Sequence, residues 1–345
     1  MRILFLNRRD IKNPDGGGAE IYTHEIAKGL VERYNCRVSG FSNLFFSGEK
    51  EEMIDGVQYI RKGSEFTVHL WGFIYAVRHR KELDLIVDEF NGMGFFTFFL
   101  RNSILLIHQL YKRFWLRELG LFGVFPYLFE PVILKLYKNK KTITVSNSTK
   151  KDLEGLGFKQ VHIVMNALRT KPLDTVPEKG EVPTMVFLGR LRSTKGPGDA
   201  IEIFKRVRDE IDNAQLWIIG SGPEEPLLKK KAAKMSGITF WGHINDEKKM
   251  ELLKRAHILL VPGIREGFGI NVIEAASVGT PSIGYNIHGL RDSIIHGETG
   301  FLINDMISAV EAALELLSKK DFYQKMSQDC IKYAENFSWD KRIEE

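Results

Sequence analysis

Short apolar runs alternate along the chain with segments whose apolar residues recur at helical spacing. Ile3–Leu6 and Met185–Gly189 are continuously apolar, and Ala256–Pro262 is apolar except for His257. Such runs are typical of strands buried on both faces of a parallel sheet. After the first run, Ala19–Leu30 shows the spacing of an amphipathic helix. Strands that alternate with helices in this way predict an α/β protein with parallel sheets.

Length and composition predict two domains. A chain of 345 residues is long for one hydrophobic core. The segment 169–184 is polar, holds three prolines and separates two apolar strand patterns. The pattern therefore predicts an N-terminal α/β domain over residues 1–169, a linker over 170–184 and a C-terminal α/β domain over 185–345.

The two cysteines, Cys36 and Cys330, fall in different predicted domains and have no metal or redox spacing. Such usage favours a reduced, cytoplasmic setting. The opening MRILFLNRRD lacks a signal-peptide core of adequate length, so export is not expected.

The segment REGFGINVIEAASVGT, residues 265–280, carries two glutamates across a glycine-rich helix start. Glu266 is predicted on the loop at the carboxyl end of a strand, and Glu274 about two turns into the following helix. Carboxylates here could accept hydrogen bonds from ligand hydroxyls, while the helix start favours an anion. The alternative from this motif alone is a pair of solvated glutamates.

A second motif, VFLGRLRSTKGPGDAIEIF at residues 186–204, places Arg190 and Lys195 on a strand-to-helix turn that contains glycine. A guanidinium can bind phosphate oxygens in a fork, and the lysine adds a point charge near a bridging oxygen. The motif therefore favours a diphosphate ligand, although an isolated basic strand end is more often a solvated loop.

A third motif is the triple glycine Gly16, Gly17 and Gly18 at a predicted helix start, where the backbone can approach a ligand closely. No Gly-Lys-Ser/Thr follows, so it is not a P-loop, and it does not match the dinucleotide fingerprint G-x-G-x-x-G. A flexible surface loop is the alternative.

Taken together, these motifs and three further ones resemble the family 4 (group 1) retaining glycosyltransferases. The resemblance covers nearly the whole chain in the family's order. Its motifs are GGGAE at Gly16–Glu20, VSNSTKKDL at Val145–Leu153, VMNAL at Val164–Leu168, GRLRSTKG at Gly189–Gly196, EGFGINVIEA at Glu266–Ala275 and HGETGFLI at His296–Ile303. It implies the GT-B architecture, two Rossmann-like domains facing across a cleft, and sugar transfer from a nucleotide sugar with retention at the anomeric carbon. It also implies no metal requirement and no cofactor, the nucleotide sugar being counted as a substrate.

The resemblance also implies a role for each matching residue. Glu266 would bind hydroxyls of the donor sugar and Glu274 the ribose, while Arg190 and Lys195 neutralise the diphosphate. The catalytic set is then His108, Arg190, Lys195 and Glu266; the donor-binding set adds Gly16, Gly17, Gly18, Gly267, Phe268, Gly269 and Glu274; and Trp241, Gly242, His243 and Ile244 form the nucleobase region.

His108 falls where the family places a histidine near the donor sugar and the reacting centre. A histidine at the end of an apolar run is, without the family order, more often a packed core residue. Glu89 and Asn91, at the end of the predicted strand LDLIVDEF, are candidate acceptor contacts, since the motifs of the second domain are occupied by the donor. The alternative for both is a capped strand end.

The chain departs from the family pattern at several positions. His288 and Asp292 replace a glycine and a glutamate of the usual Gly-Gly-x-x-Glu, Gly263 stands where serine is usual, and Ala167 follows Asn166 where glycine is usual. Family members usually end with a helix that crosses back to the first domain. Only Trp339–Glu345 remain here, so a shortened C-terminus is expected.

Residues 91–141 are rich in aromatic and aliphatic residues interleaved with arginine and lysine. Charges and prolines interrupt each apolar run, so none is predicted to span a membrane. The segment is either a helical part of the first domain whose apolar face is core, or a peripheral membrane surface suited to a lipid-linked acceptor. Base stacking is the weakest alternative, and the net charge of +5 does not require nucleic acid.

The sequence thus predicts a metal-independent retaining glycosyltransferase that uses a nucleotide sugar, with UDP- or GDP-sugars favoured, and a glycan or lipid-linked acceptor. It would be cytoplasmic, at the inner membrane face if the apolar segment binds lipid. The alternatives are another GT-B activity, such as a sugar-nucleotide epimerase, and a protein that binds nucleotide sugars without turnover.

Overall fold

The computed structural model describes residues 1–112 and 114–345, and of Glu118 and Leu119 the backbone alone. The chain separates into two compact units. Unit 1 comprises Met1–Ala167 and Trp339–Glu345, and unit 2 comprises Leu168–Ser338. This division differs from the one drawn from the sequence, since residues 170–184 belong to unit 2 and the last seven residues belong to unit 1.

The strands, in chain order, are β1 (Arg2–Leu6), β2 (Arg37–Ser42), β3 (Glu51–Ile54), β4 (Val57–Arg61), β5 (Leu85–Glu89), β6 (Ser103–Ile107), β7 (Thr142–Thr144), β8 (Val161–Ile163), β9 (Thr184–Leu188), β10 (Gln215–Ile219), β11 (Ile238–Gly242), β12 (Ile258–Val261), β13 (Ser282–Tyr285) and β14 (Gly300–Ile303).

The α-helices follow in the same order: α1 (Gly18–Tyr34), α2 (Val68–His79), α3 (Phe114–Leu119), α4 (Val124–Leu136), α5 (Asn147–Gly155), α6 (Pro197–Glu210), α7 (Glu225–Ala232), α8 (Asp246–Arg255), α9 (Ile270–Ala276), α10 (Leu290–Ser293), α11 (Met306–Ser318), α12 (Lys320–Ala334) and α13 (Trp339–Glu344). Short 3-10 helices lie at Thr97–Phe99, Gly120–Gly123 and Ser193–Lys195.

Unit 1 is built on one sheet with the strand order β3-β4-β2-β1-β5-β6-β7-β8. Its neighbours pair in parallel, except that β3 joins β4 as an antiparallel hairpin at one edge. β1 is central and fully buried from Ile3 to Leu6, as its continuous apolar run predicts. The loops that follow β1, β5 and β6 therefore leave from adjacent strands at one edge of the sheet.

Unit 2 has a wholly parallel sheet with the order β11-β10-β9-β12-β13-β14. Numbered within the unit, this is the 3-2-1-4-5-6 order of a doubly wound Rossmann sheet, whose chain reverses direction across the sheet next to its first strand. Met185 and Phe187 of β9 pack with Phe204 of α6 in one layer of the core. On the opposite face, Val186 packs with Val272 of α9.

The segment predicted as a linker packs along unit 2. The Leu173 N–H donates to the Ser277 carbonyl at 2.9 Å, and the Gly180 N–H donates to the Arg255 carbonyl at 2.9 Å. The Lys179 ammonium donates to the Thr280 hydroxyl at 2.7 Å. Proline content indicated an irregular segment, but these contacts with α8 and with the turn after α9 hold it in place.

Helix α13 packs on α1, although more than 300 residues separate the two helices in the sequence. Arg33 of α1 forms an ion pair with Asp340 of α13. The contact is close at Gly29, because a Cβ atom built there would lie 2.1 Å from Cδ1 of Ile343. A larger residue at position 29 would therefore force the Ile343 side chain to move, and the close contact helps to place these last residues in unit 1.

We predict that Gly29→Leu destabilises unit 1, because the new side chain overlaps Ile343. Overpacking of this kind costs roughly 1–3 kcal/mol. Gly155→Leu is the matched control, since a Cβ at Gly155 meets no atom within 4 Å. Urea unfolding gives the stability of both variants, and amide hydrogen exchange over Trp339–Glu344 reports the loosening of α13. Equal midpoints for both variants would mean that α13 does not pack on α1 as described.

Candidate active site

The predicted donor residues of unit 2 lie on loops at the carboxyl edge of its sheet. Arg190 and Lys195 follow β9, Glu266 follows β12, and the nucleobase segment 241–244 covers the end of β11 and the turn behind it. Because β9 and β12 are hydrogen-bonded neighbours, loops about seventy residues apart in sequence meet at this edge.

The central contact of this edge is an ion pair between Lys195 and Glu266. Lys195 Nζ lies 2.6 Å from Glu266 Oε1, and the two side chains are 33% and 12% exposed. The glutamate is thus mostly buried while its lysine remains reachable from solvent. A ligand at this pair could place a phosphate against the Lys195 ammonium. Its hydroxyl groups could donate hydrogen bonds to the Glu266 carboxylate.

Two glycines bring the loops of this pair against their neighbours. Gly196 has φ +72°, and a Cβ there would lie 2.2 Å from the Pro262 carbonyl oxygen. Gly289 has φ +87°, and a Cβ there would lie 2.1 Å from the Glu266 carbonyl oxygen. Both positions therefore require glycine, for the backbone angle and for the space. Gly289 lies in the segment HGLRD, residues 288–292, which departs from the family pattern at His288 and Asp292. It nevertheless packs directly against the backbone of Glu266.

Glu274 lies one turn into α9 rather than two, because the helix begins at Ile270 and ends at Ala276. Its Oε1 accepts a hydrogen bond from Lys249 Nζ at 2.6 Å, and the same ammonium lies 2.9 Å from Asp246 Oδ1. Burial raises the pKa of Glu274, and Lys249 opposes this shift without cancelling it. Burial alone would lower the pKa of Lys249, but its two carboxylate partners raise it.

Sequence reasoning missed Lys249 and Asn271. Lys249 belongs to the charged helix α8, in which it looks like any solvated lysine, so no local signal distinguishes it. Asn271 donates from Nδ2 to the Leu188 carbonyl at 3.0 Å and ties the start of α9 to the end of β9. An asparagine two positions after the last glycine of a glycine-rich turn is the sequence signal for this contact.

The glycine-rich turn, residues 267–269, and the predicted nucleobase segment, residues 241–244, make packing contacts within unit 2. Gly267 precedes Phe268, which is buried against Phe337, and Gly269 caps α9 with φ +93°. Trp241 packs edge-on against Trp217 with ring centroids 6.1 Å apart, and Lys248 lies over its ring at 5.4 Å. Gly242, His243 and Ile244 follow at the end of β11 and are open at least in part to solvent.

In unit 1, the glycine loop after β1 is held by Glu20. The Gly17 N–H donates to Glu20 Oε2 at 2.7 Å, and the Gly16 N–H donates to the Asn13 carbonyl at 2.8 Å. Burial raises the pKa of Glu20, and the nearby Glu89 adds to the shift. The Glu20 carboxylate therefore holds this glycine loop in place, and Gly18 is the first residue of α1.

His108 and Glu89 form a buried pair at the ends of β6 and β5. His108 Nε2 lies 3.1 Å from Glu89 Oε1, and their side chains are 11% and 1% exposed. The second carboxylate oxygen of Glu89 accepts from the Thr23 hydroxyl at 2.6 Å, and Asn91 Nδ2 donates to the first at 3.0 Å. Both oxygens of Glu89 are thus engaged inside the protein, which leaves Asn91 as the more accessible of the two acceptor candidates.

A small cavity lies beside this cluster, with a volume of about 10 Å³. Its lining includes Asn7, Asp10, Glu20, Thr23 and Tyr59. This volume is close to the minimum for one water molecule, so the cavity is no place for a sugar or a nucleotide.

Comparison with known proteins identifies the C-terminal part of the chain. Residues 172–337 match the family model described as glycosyl transferases group 1. They make up just under half of the chain, which over this part is similar to group 1 glycosyl transferases. The resemblance to group 1 glycosyltransferases that the sequence motifs indicated is therefore confirmed.

Curated relatives match over part of their length. A trehalose synthase from Pyrococcus horikoshii is 30% identical over 203 residues, which are 56% of this chain and 48% of the relative. A phosphatidyl-myo-inositol mannosyltransferase from Mycobacterium leprae is 30% identical over 184 residues, 51% of this chain and 49% of the relative. The chain therefore spans about half the length of the curated relatives it matches.

Solved structures match over almost the whole chain. Sucrose-phosphate synthase from Thermosynechococcus elongatus has a TM-score of 0.82 at 18% identity, with 99% of this chain and 96% of that chain covered. HepE from Anabaena, solved with UDP and glucose, has a TM-score of 0.73 at 16% identity, with 100% and 97% covered. These likenesses establish the fold, and the predicted GT-B class with two Rossmann-like domains is confirmed.

Within unit 2, we predict that Lys249→Met destabilises the protein more than Lys248→Met. The first change strands the Glu274 carboxylate, whereas Lys248 pairs with the exposed Glu251. The expected loss is on the order of 2 kcal/mol, below the roughly 3–5 kcal/mol of a fully buried pair. Glu274 and Lys249 keep 20% and 17% exposure, which is the reason for the discount.

The loss should depend on pH with a definite sign. A carboxyl whose pKa is raised in the folded state binds protons more readily there than in the unfolded chain, so acid favours the fold. Without Lys249 this applies to Glu274 more strongly. The difference in unfolding free energy between Lys249→Met and wild type should therefore shrink from pH 8 to pH 5.5. A difference that stays constant or grows in acid would contradict the pairing.

Proposed function

We propose that this protein is a retaining glycosyltransferase that moves a sugar from a nucleotide sugar to an acceptor without a metal cofactor. The observation that carries the proposal is the Lys195–Glu266 ion pair, which lies at the carboxyl edge of β9 and β12 in unit 2. A ligand with both a diphosphate and sugar hydroxyls matches this pair.

The chemistry requires stabilisation of the departing nucleoside diphosphate. As the bond from the anomeric carbon to the diphosphate oxygen breaks, negative charge grows on that oxygen. Arg190 and Lys195 are the cations assigned to it, because fixed positive charge in a partly desolvated site stabilises a transition state without an acid or a metal. Glu266 loses its ion-pair partner to phosphate and turns to the sugar hydroxyls, and Glu274 accepts from the ribose.

Unit 1 contributes the glycine loop Gly16–Gly18 and His108 to this proposal. Because Glu89, Thr23 and Asn91 hold one another in place, the His108 ring has a fixed orientation before any substrate binds. We assign Glu89 as a positioning residue for His108. The acceptor, a glycan or a lipid-linked sugar, is assigned to the neighbourhood of Asn91.

The donor is best sought among UDP- and GDP-sugars, and the UDP and UDP-glucose bound in the solved HepE structures support the UDP-sugars. We expect one nucleotide sugar to raise the melting temperature of the purified protein in the presence of EDTA, and Lys195→Ala and Glu274→Ala to weaken this effect. Lys205→Ala, an exposed lysine on α6 away from the sheet edge, is the matched control.

Turnover decides between the alternatives. With donor and a suitable acceptor, Lys195→Ala should lower kcat/KM by roughly 10²–10³, the loss typical of one transition-state charge contact. Anomeric retention is read from the product by NMR. Donor binding without transfer to any acceptor would favour a non-catalytic binding protein, interconversion of the free donor would favour an epimerase, and no binding of UDP-, GDP- or ADP-sugars would overturn the proposal.

The role of Glu89 gives a separate prediction. Glu89→Gln keeps the size of the side chain but removes the charge that faces His108 Nε2. We expect kcat to fall by roughly 10–100-fold, with the KM for acceptor nearly unchanged, because the change acts through His108. Asn91→Ala should instead raise the KM for acceptor. A Glu89→Gln enzyme that loses acceptor affinity at normal kcat would return Glu89 to the acceptor site.

A further inference from the structure

Helix α4 and the turn before it expose a continuous apolar stripe to solvent. In a helix, residues three and four positions apart share a face, and the exposed residues here follow that spacing. Leu121 and Phe122 are 89% and 88% exposed, and Phe125 is 66% exposed. The stripe, which we call the α4 outer face, consists of Leu121, Phe122, Phe125, Leu128, Phe129, Val132 and Leu136.

The opposite face of α4 accounts for its place in the fold. Leu134 is fully buried in a cluster with Leu105 and Leu110. The buried carboxylate of Glu130 accepts from the Tyr111 and Lys112 N–H groups, both at 2.8 Å. The helix is thus anchored from the inside, and the outer face adds nothing to this anchoring. A surface helix normally carries polar residues there.

Charge distinguishes this face from an ordinary apolar patch. Between residues 120 and 141 the sequence holds one acidic residue, Glu130, and it is buried on the inner side. Lys135, Lys138 and Lys141 are exposed around the carboxyl end of the helix. The surface therefore presents leucine and phenylalanine beside exposed lysines, which matches a layer with an apolar interior and anionic headgroups.

The dimensions exclude a spanning arrangement. α4 has 13 residues. At 1.5 Å per residue it is about 20 Å long, while a bilayer core is about 30 Å thick. Among the helices of the described residues, none is both long and apolar enough to cross a membrane. A short helix with one apolar face and flanking lysines instead lies in the plane of the interface.

We propose that the α4 outer face binds the surface of an anionic lipid bilayer, with Phe122 and Phe125 among the acyl chains and the lysines at the headgroups. Its inner side holds the loop after His108 through Glu130, so the bilayer lies against the same structural element that supports this loop. Resting on the proposed glycosyltransferase function, the acceptor is then a membrane-embedded amphiphile whose sugar or hydroxyl end reaches unit 1 from the lipid side.

Binding to vesicles tests the surface without any substrate. Wild type and variants are sedimented with vesicles of phosphatidylcholine alone or mixed with phosphatidylglycerol. We expect wild type to bind the anionic vesicles and to be released by salt, since exposed charges are screened. Phe122→Ser/Phe125→Ser and Lys135→Gln/Lys138→Gln should each lower the partition coefficient by at least about tenfold.

Matched controls carry the same changes elsewhere. Phe46 and Phe66 are exposed phenylalanines outside the stripe, and Lys230 and Lys234 are exposed lysines in unit 2. Phe46→Ser/Phe66→Ser and Lys230→Gln/Lys234→Gln should leave binding within about twofold of wild type. Circular dichroism checks the fold of every variant. Equal losses in the controls, or no binding of wild type to anionic vesicles, would overturn the proposal.

Two further measurements separate this inference from its rivals. Light scattering measures whether wild type and Phe122→Ser/Phe125→Ser are monomers or dimers. A dimeric wild type and a monomeric variant, neither of which binds vesicles, would mean that the α4 outer face joins two copies of the chain. The membrane proposal would then be wrong. Donor-induced thermal shifts of the surface variants report the proposed function independently. Vesicle binding without any donor binding would support the membrane surface and overturn the glycosyltransferase proposal. Donor binding without vesicle binding would support the glycosyltransferase proposal and overturn the membrane surface.

Discussion

Parallel pairing of neighbouring strands is the constraint on which the site depends. In unit 2 every strand runs in the same direction, so the loops after β9 and β12 must leave the sheet side by side. This brings Lys195 within 2.6 Å of Glu266 across seventy-one positions of sequence. The same rule in unit 1 places the ends of β5 and β6 together and lets Glu89 meet His108. One property of the backbone thus assembles both groups of candidate residues.

Each buried charge in these groups is satisfied within its own unit. Glu266 is paired with Lys195, Glu274 with Lys249, and Glu89 accepts from His108, Thr23 and Asn91. Such pairing avoids the cost of an isolated buried charge and fixes the side chains before a ligand arrives. The Lys195–Glu266 pair is the more exposed of the two ion pairs on its lysine side. It is therefore the contact that an incoming phosphate exchanges most readily.

Helix α4 joins two different environments within unit 1. Its inner face is fixed by Leu134 in the core and by Glu130, which accepts from the backbone that follows His108. Its outer face is apolar and lysine-flanked. Exposure of such a face to water is unfavourable, and its burial at a lipid interface is favourable. Contact with a lipid surface would therefore lower the free energy of this helix. The sequence left a helical core segment and a membrane surface as alternatives for residues 91–141. The structure divides this segment, because β6 is a strand of the core sheet, whereas α4 has a core face and an exposed apolar face.

The sequence by itself determined the alternation of strands and helices, because burial on two sheet faces leaves a local pattern. The GT-B class and the candidate residues Lys195, Glu266, Glu274 and His108 came from the resemblance of its motifs to a known family. The sequence did not determine the partners of these residues. Lys249 looks like any lysine of a charged helix, Glu89 looks like an open strand end, and the packing of Ile343 against Gly29 gives α13 to unit 1 across three hundred residues. Only the tertiary structure decided these points, since which charge meets which, and which helix fits a glycine, depends on distances between segments that no local pattern records.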